Sequence, residues 1–130
     1  VKPIPVVAAV IRREAHVLLA LRPPEKRHGG LWEFPGGKLA AGETEAQAMA
    51  RELAEELGVR VVAVGALLAA YHDPDSPFEI RFRDVEVVGA PRPLEHTELR
   101  WTTREEALCL PLAPTDRQFV EDVLGGGGAG

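Results

Sequence analysis

Asparagine is absent from this chain of 130 residues, cysteine occurs once, at Cys109, and aromatic side chains make up 5% of it. One thiol can neither close an intramolecular disulfide nor build a cysteine-based zinc site, which points to a reducing compartment. Positive charge is also short, with 15 Lys and Arg against 20 Asp and Glu and a formal net charge of -5. A nucleic-acid clamp draws its affinity from neutralised phosphates, so no nucleic-acid polymer is expected as a partner. There is no run of about 18 apolar residues, and no charged start leads into a long apolar stretch. Neither membrane insertion nor secretion is expected, and a cytoplasmic protein is.

What is present suffices for one core, because 130 residues at 45% hydrophobic are too few for two. The expectation is a single domain over 1–124, with the terminal GGGGAG of 125–130 as a flexible tail. Residues 6–11 and 17–21 are continuous apolar runs separated by polar RREAH, which predicts two well-covered strands and a hairpin-like turn. Residues 59–71 read as a strand with an irregularity at Gly65. In 78–88 the apolar parity changes from Phe78, Ile80 and Phe82 to Val85 and Val87, which predicts a bulge near Arg83. Thr103 with Glu106, and Thr115 with Gln118, have capping-box spacing for two short helices, the second running through Leu124.

The stretch 37–59 carries the chemistry. A glycine-rich loop feeds a helix whose start is set by a Thr44-x-x-Gln47 capping box and whose end is set by Gly58. Ala46, Ala50, Leu53 and Leu57 recur at helical spacing and predict the buried face. On the other face Glu52, Glu55 and Glu56 crowd within one turn, with Glu45 a turn away. Like charges at such spacing cost about 0.2–0.5 kcal/mol per pair, and Arg51 alone cannot offset them. A hard divalent cation such as Mg2+ suits clustered carboxylates beside free loop carbonyls; a solvated acidic face is the plainer alternative.

The order G-x5-E-x7-R-E-L-x-E-E-x-G-V, from Gly37 through Glu43, Arg51, Glu52, Glu55 and Glu56 to Val59, resembles the Nudix box at every specified position. The chain is therefore identified as a member of the Nudix hydrolases, similar to the MutT-like and CTP pyrophosphohydrolase-like branch, over residues 6–124. The resemblance implies an α/β fold, an α/β/α sandwich around a central mixed β-sheet. It implies Mg2+, with Mn2+ as a substitute, held by Glu52, Glu55 and Glu56 with a carbonyl near Gly37. Glu43 would support that shell, and Arg51 would lock the loop to the helix. The activity implied is hydrolysis of a (d)NTP, damaged or pyrimidine, to NMP and pyrophosphate in sanitation of the nucleotide pool. Bound metal would supply the positive charge that the chain lacks.

Outside the box, Arg22 at a strand end would reach substrate phosphate, and its other reading is a surface charge. L-W-E-F-P-G-G-K resembles the segment before the box in MutT-like enzymes, so Trp32 and Phe34 are candidates to flank a base, with a core role the alternative for one of them. Lys38 is a candidate phosphate contact or an exposed lysine. Phe78 is a candidate stacking ring or a strand-end core residue. E-H-T-E-L-R-W resembles a stretch beyond the box in these pyrophosphohydrolases and offers Glu95 or Glu98 as a further carboxylate, with His96 as a structural hydrogen-bonder. Glu52 is the first choice of general base, and Glu95 or Glu98 its competitor. In MutT an asparagine near the last helix reads oxidised guanine; here Thr115 or Asp116 occupies that neighbourhood. Alternatives are an 8-oxo-dGTP diphosphatase, a Nudix enzyme for ADP-ribose, a dinucleotide polyphosphate or capped RNA, and a non-catalytic nucleotide sensor. The partner expected is a small-molecule nucleoside triphosphate, with the protein a monomer or homodimer.

Overall fold

The computed structural model describes residues 2–124, so the expected tail lies outside the described residues. In chain order the elements are β1 (Ile4–Val10), β2 (Arg12–Arg13), β3 (His16–Leu21), β4 (Trp32–Glu33), β5 (Gly36–Lys38), α1 (Glu45–Leu57), β6 (Arg60–His72), β7 (Phe78–Val88), β8 (Glu98–Thr102), α2 (Arg104–Leu108) and α3 (Pro114–Asp122). Pairing gives one mixed sheet in the order β5-β1-β7-β6, with β1 and β7 parallel, and a second sheet in which β3 joins β2, β4 and β8. The two are stitched by backbone bonds from Leu18 N to Ile11 O and from Ala9 N to Pro35 O.

The apolar run of β1 is continuous because both its faces are covered, as in strands sandwiched between helices. Val7, Ala9 and Ile11 pack toward Met49, Leu53 and Leu57 of α1. Ala8 and Val10 join Phe82 together with Phe119 and Val120 of α3. This is the expected α/β/α arrangement. The irregularity expected near Arg83 is present in the pairing with β6, where the Leu67–Arg83 pair has a register shift on either side, while β7 runs in unbroken register with β1 from Phe78 to Asp84. Ile80 and Phe82 belong to the α3-side core and Val85 and Val87 to the α1-side core, so the parity changes with the covering helix. The extra residues lie on β6, whose register against β7 shifts at Val61/Ala63, Val64/Leu67 and Leu67/Ala69, the second spanning Gly65.

Helix α1 starts and stops as expected, with a reciprocal Thr44–Gln47 capping box and Gly58 in the left-handed region at φ 69°. Its buried face differs. Ala48, Met49, Leu53, Glu56 and Leu57 are buried, whereas Ala46 and Ala50 are exposed. Met49 buries far more apolar area than an alanine methyl, so the helix turns that side inward and carries Glu56 with it. α2 has the expected Thr103–Glu106 box. The box expected at Thr115 and Gln118 is not formed, because Pro114, with φ preset for a helix, occupies the first turn and Ala113 is the N-cap. Phe34, Phe82 and Phe119 pin α3 to the sheets. Phe82 and Phe119 stack at 4.3 Å, and Phe34 meets them edge-on at 5.7 and 5.3 Å. Each such pair contributes about 0.5–1.5 kcal/mol beyond area burial.

Candidate functional site

The glycine loop is shaped by close approach. Gly36 has φ 154°, and a Cβ there would strike the Val7 carbonyl, so β5 can lie against β1 only with glycine at this position. At Gly37 the volume of a Cβ is already taken by Oε2 of Glu52. The loop backbone and the carboxylate from α1 are therefore in direct apposition.

Arg51 ties the loop to the helix. Its Nε donates to Glu43 Oε2 at 2.7 Å, and its Nη2 donates to Glu43 Oε1 at 2.8 Å and to the Lys38 carbonyl at 3.1 Å. Nη1 reaches Glu52 at 3.0 Å and Glu55 at 3.6 Å. The Arg51 hydrogen bonds, aided by the Ala40 N–H, bring the Glu43 carboxyl down to about 2. Glu45 is also spoken for, since Arg81 and Arg83 of β7 donate to it at 2.8 and 2.7 Å.

Glu56 is different. It is 8% exposed, and among the described residues the one N–H donated to its carboxylate is that of Gly36, at 3.2 Å. Burial, then the charges of Glu33 and Glu52 and more weakly that of Glu95, push it up to about 9 against the pull of Gly36. Burial also raises Glu52, with Arg51 pulling it down and Glu55 pushing it up. The expectation that Glu56 lies on an exposed face is thus corrected: it faces inward, toward the glycine loop.

A cavity of about 280 Å³ opens beside this loop. Arg22, Phe34, Lys38, Phe78, Thr115 and Asp116, all expected near substrate, line it together with Gly37, expected at the metal. Trp32 does not. It is 5% exposed in the α3-side core, bridged to Leu112, with the Arg100 guanidinium 4.8 Å over its ring. Alternation along β4 sends Trp32 into the core and its neighbour Glu33 into the cavity. Phe34 is itself a core ring, 3% exposed, that shows one side to the cavity. Lys38 Nζ lies 4.6 Å over the Phe78 ring.

Arg22 does not stand free. It bonds both oxygens of Glu33, at 3.2 and 3.1 Å, and the Arg27 carbonyl at 2.6 Å. Asp116 accepts from Phe34 N at 3.0 Å, and burial, with the Glu33 charge, raises it well above the usual range. Asp73 lines the same cavity and pairs with Arg27 at 3.4 Å. Glu95 lies in the segment before β8, exposed and outside the lining of the cavity. Glu98 is about half exposed and paired with Arg100 at 2.9 Å. Sequence reasoning missed Glu33 and Asp73. The first could have been found from its place between two buried aromatics on a strand. The second had no local signal, since it meets Thr115 and Asp116 only through the fold.

Among the described residues, no three carboxylate or imidazole groups converge at metal-ligand distance. The donor set nevertheless fits a divalent cation. Glu52 and Glu56 press against the loop backbone with less positive charge than their own negative charge requires, and hard oxygen donors in a charge-poor niche suit such an ion. A second recess, of about 460 Å³ beside Arg12, Arg13 and Trp101, is the larger, yet none of these glutamates lines it.

Comparison with known proteins agrees with the box. A model of the NUDIX domain matches residues 2–123. The CTP pyrophosphohydrolase of Escherichia coli is 42% identical over 123 residues, covering 92% of this chain and 90% of that one. The 8-oxo-dGTP diphosphatase of Haemophilus influenzae is 46% identical over 128 residues, covering 95% and 93%. The solution structure of the Escherichia coli ORF135 protein superposes with a TM-score of 0.78 at 41% identity, over 92% of this chain and 87% of that one. A family match over nearly the whole chain, with the box geometry in place, establishes that the chain belongs to the Nudix hydrolase family.

Proposed function

We propose that the chain is a Mg2+-dependent nucleoside triphosphate pyrophosphohydrolase that converts a (d)NTP with a damaged or pyrimidine base to NMP and pyrophosphate. The observation that carries this reading is one cavity whose walls combine two rings, Phe34 and Phe78, three cations, Arg22, Arg27 and Lys38, and the glycine loop against which Glu52 and Glu56 lie. That combination matches a base, a polyphosphate and a metal in turn. Glu52, Glu55 and Glu56 with the Gly37 carbonyl would hold a divalent ion, with Glu43 in support, and such an ion would supply the positive charge that phosphoryl transfer needs.

The residues divide the remaining work. Phe34 and Phe78 offer ring surface to the base, and Thr115 and Asp116 face its polar edge. Arg22 and Lys38 hold phosphate, and Arg22 must share or leave Glu33 to do so. Glu52 takes a proton from water as the oxygen attacks phosphorus, and the bond to the departing pyrophosphate breaks. Glu95 is the competing base. Arg51 and Glu43 keep loop and helix in register throughout.

An exposed free thiol at Cys109 suits a reducing cytoplasm, and no described helix is long and apolar enough to cross a membrane. The test is chromatographic product analysis with and without Mg2+, following pyrophosphate and NMP from CTP, dCTP, other (d)NTPs and 8-oxo-dGTP, AMP and ribose 5-phosphate from ADP-ribose, and the two nucleotide halves from diadenosine polyphosphates. Release from a triphosphate only when Mg2+ is present is the expected result. A protein that binds these nucleotides and cleaves none would be a sensor, and the reading would fall.

A further inference from the structure

The segment between β7 and β8 is held at both ends of Glu95. On one side Arg92 N donates to the Leu57 carbonyl at 2.9 Å and Leu94 N to the Glu56 carbonyl at 3.0 Å, so this backbone is tied to the last turn of the glutamate helix. On the other side Thr97 N donates to the Leu21 carbonyl at 2.9 Å, which ties it to the end of β3 beside Arg22. Backbone anchors alone leave the residue between them free to rotate its peptide planes. The remaining restraint is His96.

The His96 side chain is 6% exposed, and its Nε2 lies 2.9 Å from Glu33 Oε2. Glu33 already accepts from Arg22 on both oxygens. A carboxylate so engaged is an acceptor, so the proton between them sits on Nε2 and His96 donates. Nδ1 is buried without a partner among the described residues, which leaves the ring one bond to make. Glu33 is thereby gripped from two elements, the end of β3 through Arg22 and the 89–97 segment through His96.

We propose that His96 is a positioning residue: its hydrogen bond to Glu33, together with the Leu94–Glu56 backbone bond, fixes the segment so that Glu95 is presented to the catalytic glutamates. This rests on the hydrolase reading above and adds to it. It selects Glu95, which lies between the two backbone ties, over Glu98, which opens β8 and pairs with Arg100, and it gives the buried imidazole a task. His96 touches neither substrate nor water in this scheme; it acts through Glu33 and Glu95.

The experiment is a double-mutant cycle on the full chain, read as kcat and KM for whichever triphosphate is cleaved. His96→Ala is expected to lower kcat about ten- to a hundredfold, the size of a sub-ångström to ångström misplacement of a reacting group, with KM within about twofold. His96→Gln, whose amide N–H can reach Glu33, is expected to recover most of that loss. Combined with Glu95→Gln, His96→Ala is expected to add little, because the group it positions is already gone. Unchanged kcat in His96→Ala, or losses that multiply in the double variant, would overturn the proposal. Should His96→Ala fail to fold, the cycle run with His96→Gln against Glu95→Gln decides it: residual loss that vanishes in the double variant supports the proposal, and multiplying losses refute it. Failure of the hydrolase reading looks different, since the parent chain would then cleave nothing.

Discussion

Glu43 and Glu56 belong to the same loop and helix, yet they end in opposite electrostatic circumstances. Glu43 receives two N–H bonds from Arg51 and one from Ala40 and is drawn down to about 2. Glu56 is buried beside Glu33 and Glu52 with one backbone N–H and is pushed up to about 9. A compensated carboxylate holds structure together, whereas an uncompensated one marks where a cation or a proton must come and go. Under the proposed function, the contrast separates the acid that builds the loop from the one that would work in it.

The sharpest way to break that contrast is Glu56→Gln. The amide oxygen still accepts from Gly36, so the fold stays, while turnover is expected to fall about a thousandfold, the scale of removing one preorganised electrostatic group. Metal-free melting should be unchanged or higher, because a group that is costly to ionise when buried has been neutralised. A melting temperature well below the parent's would instead make Glu56 structural. Next in size is Arg51→Lys. An ammonium cannot reproduce the forked contact with Glu43 together with the Lys38 carbonyl, so kcat is expected to drop about ten- to a hundredfold and the melting temperature to fall. Parent-like kinetics would show that the clamp is dispensable.

Smaller and more selective is Asp116→Asn, which keeps the bond from Phe34 N but replaces a buried carboxyl with an amide. The kcat/KM ratio between CTP and 8-oxo-dGTP should move about tenfold, and a fixed ratio would remove Asp116 from base recognition. A last effect concerns pH and touches stability rather than turnover. Glu56 keeps its proton in the fold up to about pH 9, whereas the unfolded chain releases it near the ordinary value of 4.5. Between those limits the folded state binds more protons, so metal-free stability falls as pH rises, by at most about 1.4 kcal/mol per pH unit for this group. Mg2+ must displace that proton, so its stabilisation should grow from pH 6 to pH 8. Melting curves at both values, with and without Mg2+, test this; a shift independent of pH would place the metal away from Glu56.

Much of this was legible because the signals were local. Capping boxes at Thr44 and Thr103, the Gly58 stop and the runs flanking RREAH each specify structure from a few neighbouring residues. The box spacing likewise announced the glutamates. What escaped depended on which element covers which face. The parity change at Val85 and Val87 follows from the covering helix, and the irregularity beside Arg83 puts its extra residues on β6. Glu56 read as exposed because alanines outvoted Met49 in the helical pattern. Phe34 is so deeply packed that Phe34→Ala, at about 3–5 kcal/mol for an emptied core aromatic, would test folding before it tested nucleotide binding. Asp73 became a neighbour of Thr115 only when β6 and α3 met.

The three register shifts in β6 carry a further consequence. This strand is the outer border of its sheet and holds Val62 and Leu67 at 40% exposure. A straight border of that composition would invite another polypeptide to add itself rung by rung and so seed aggregates. Crumpled at three points, it presents no long row of evenly spaced donors and acceptors, and the greasiest margin of the molecule is kept from acting as a template.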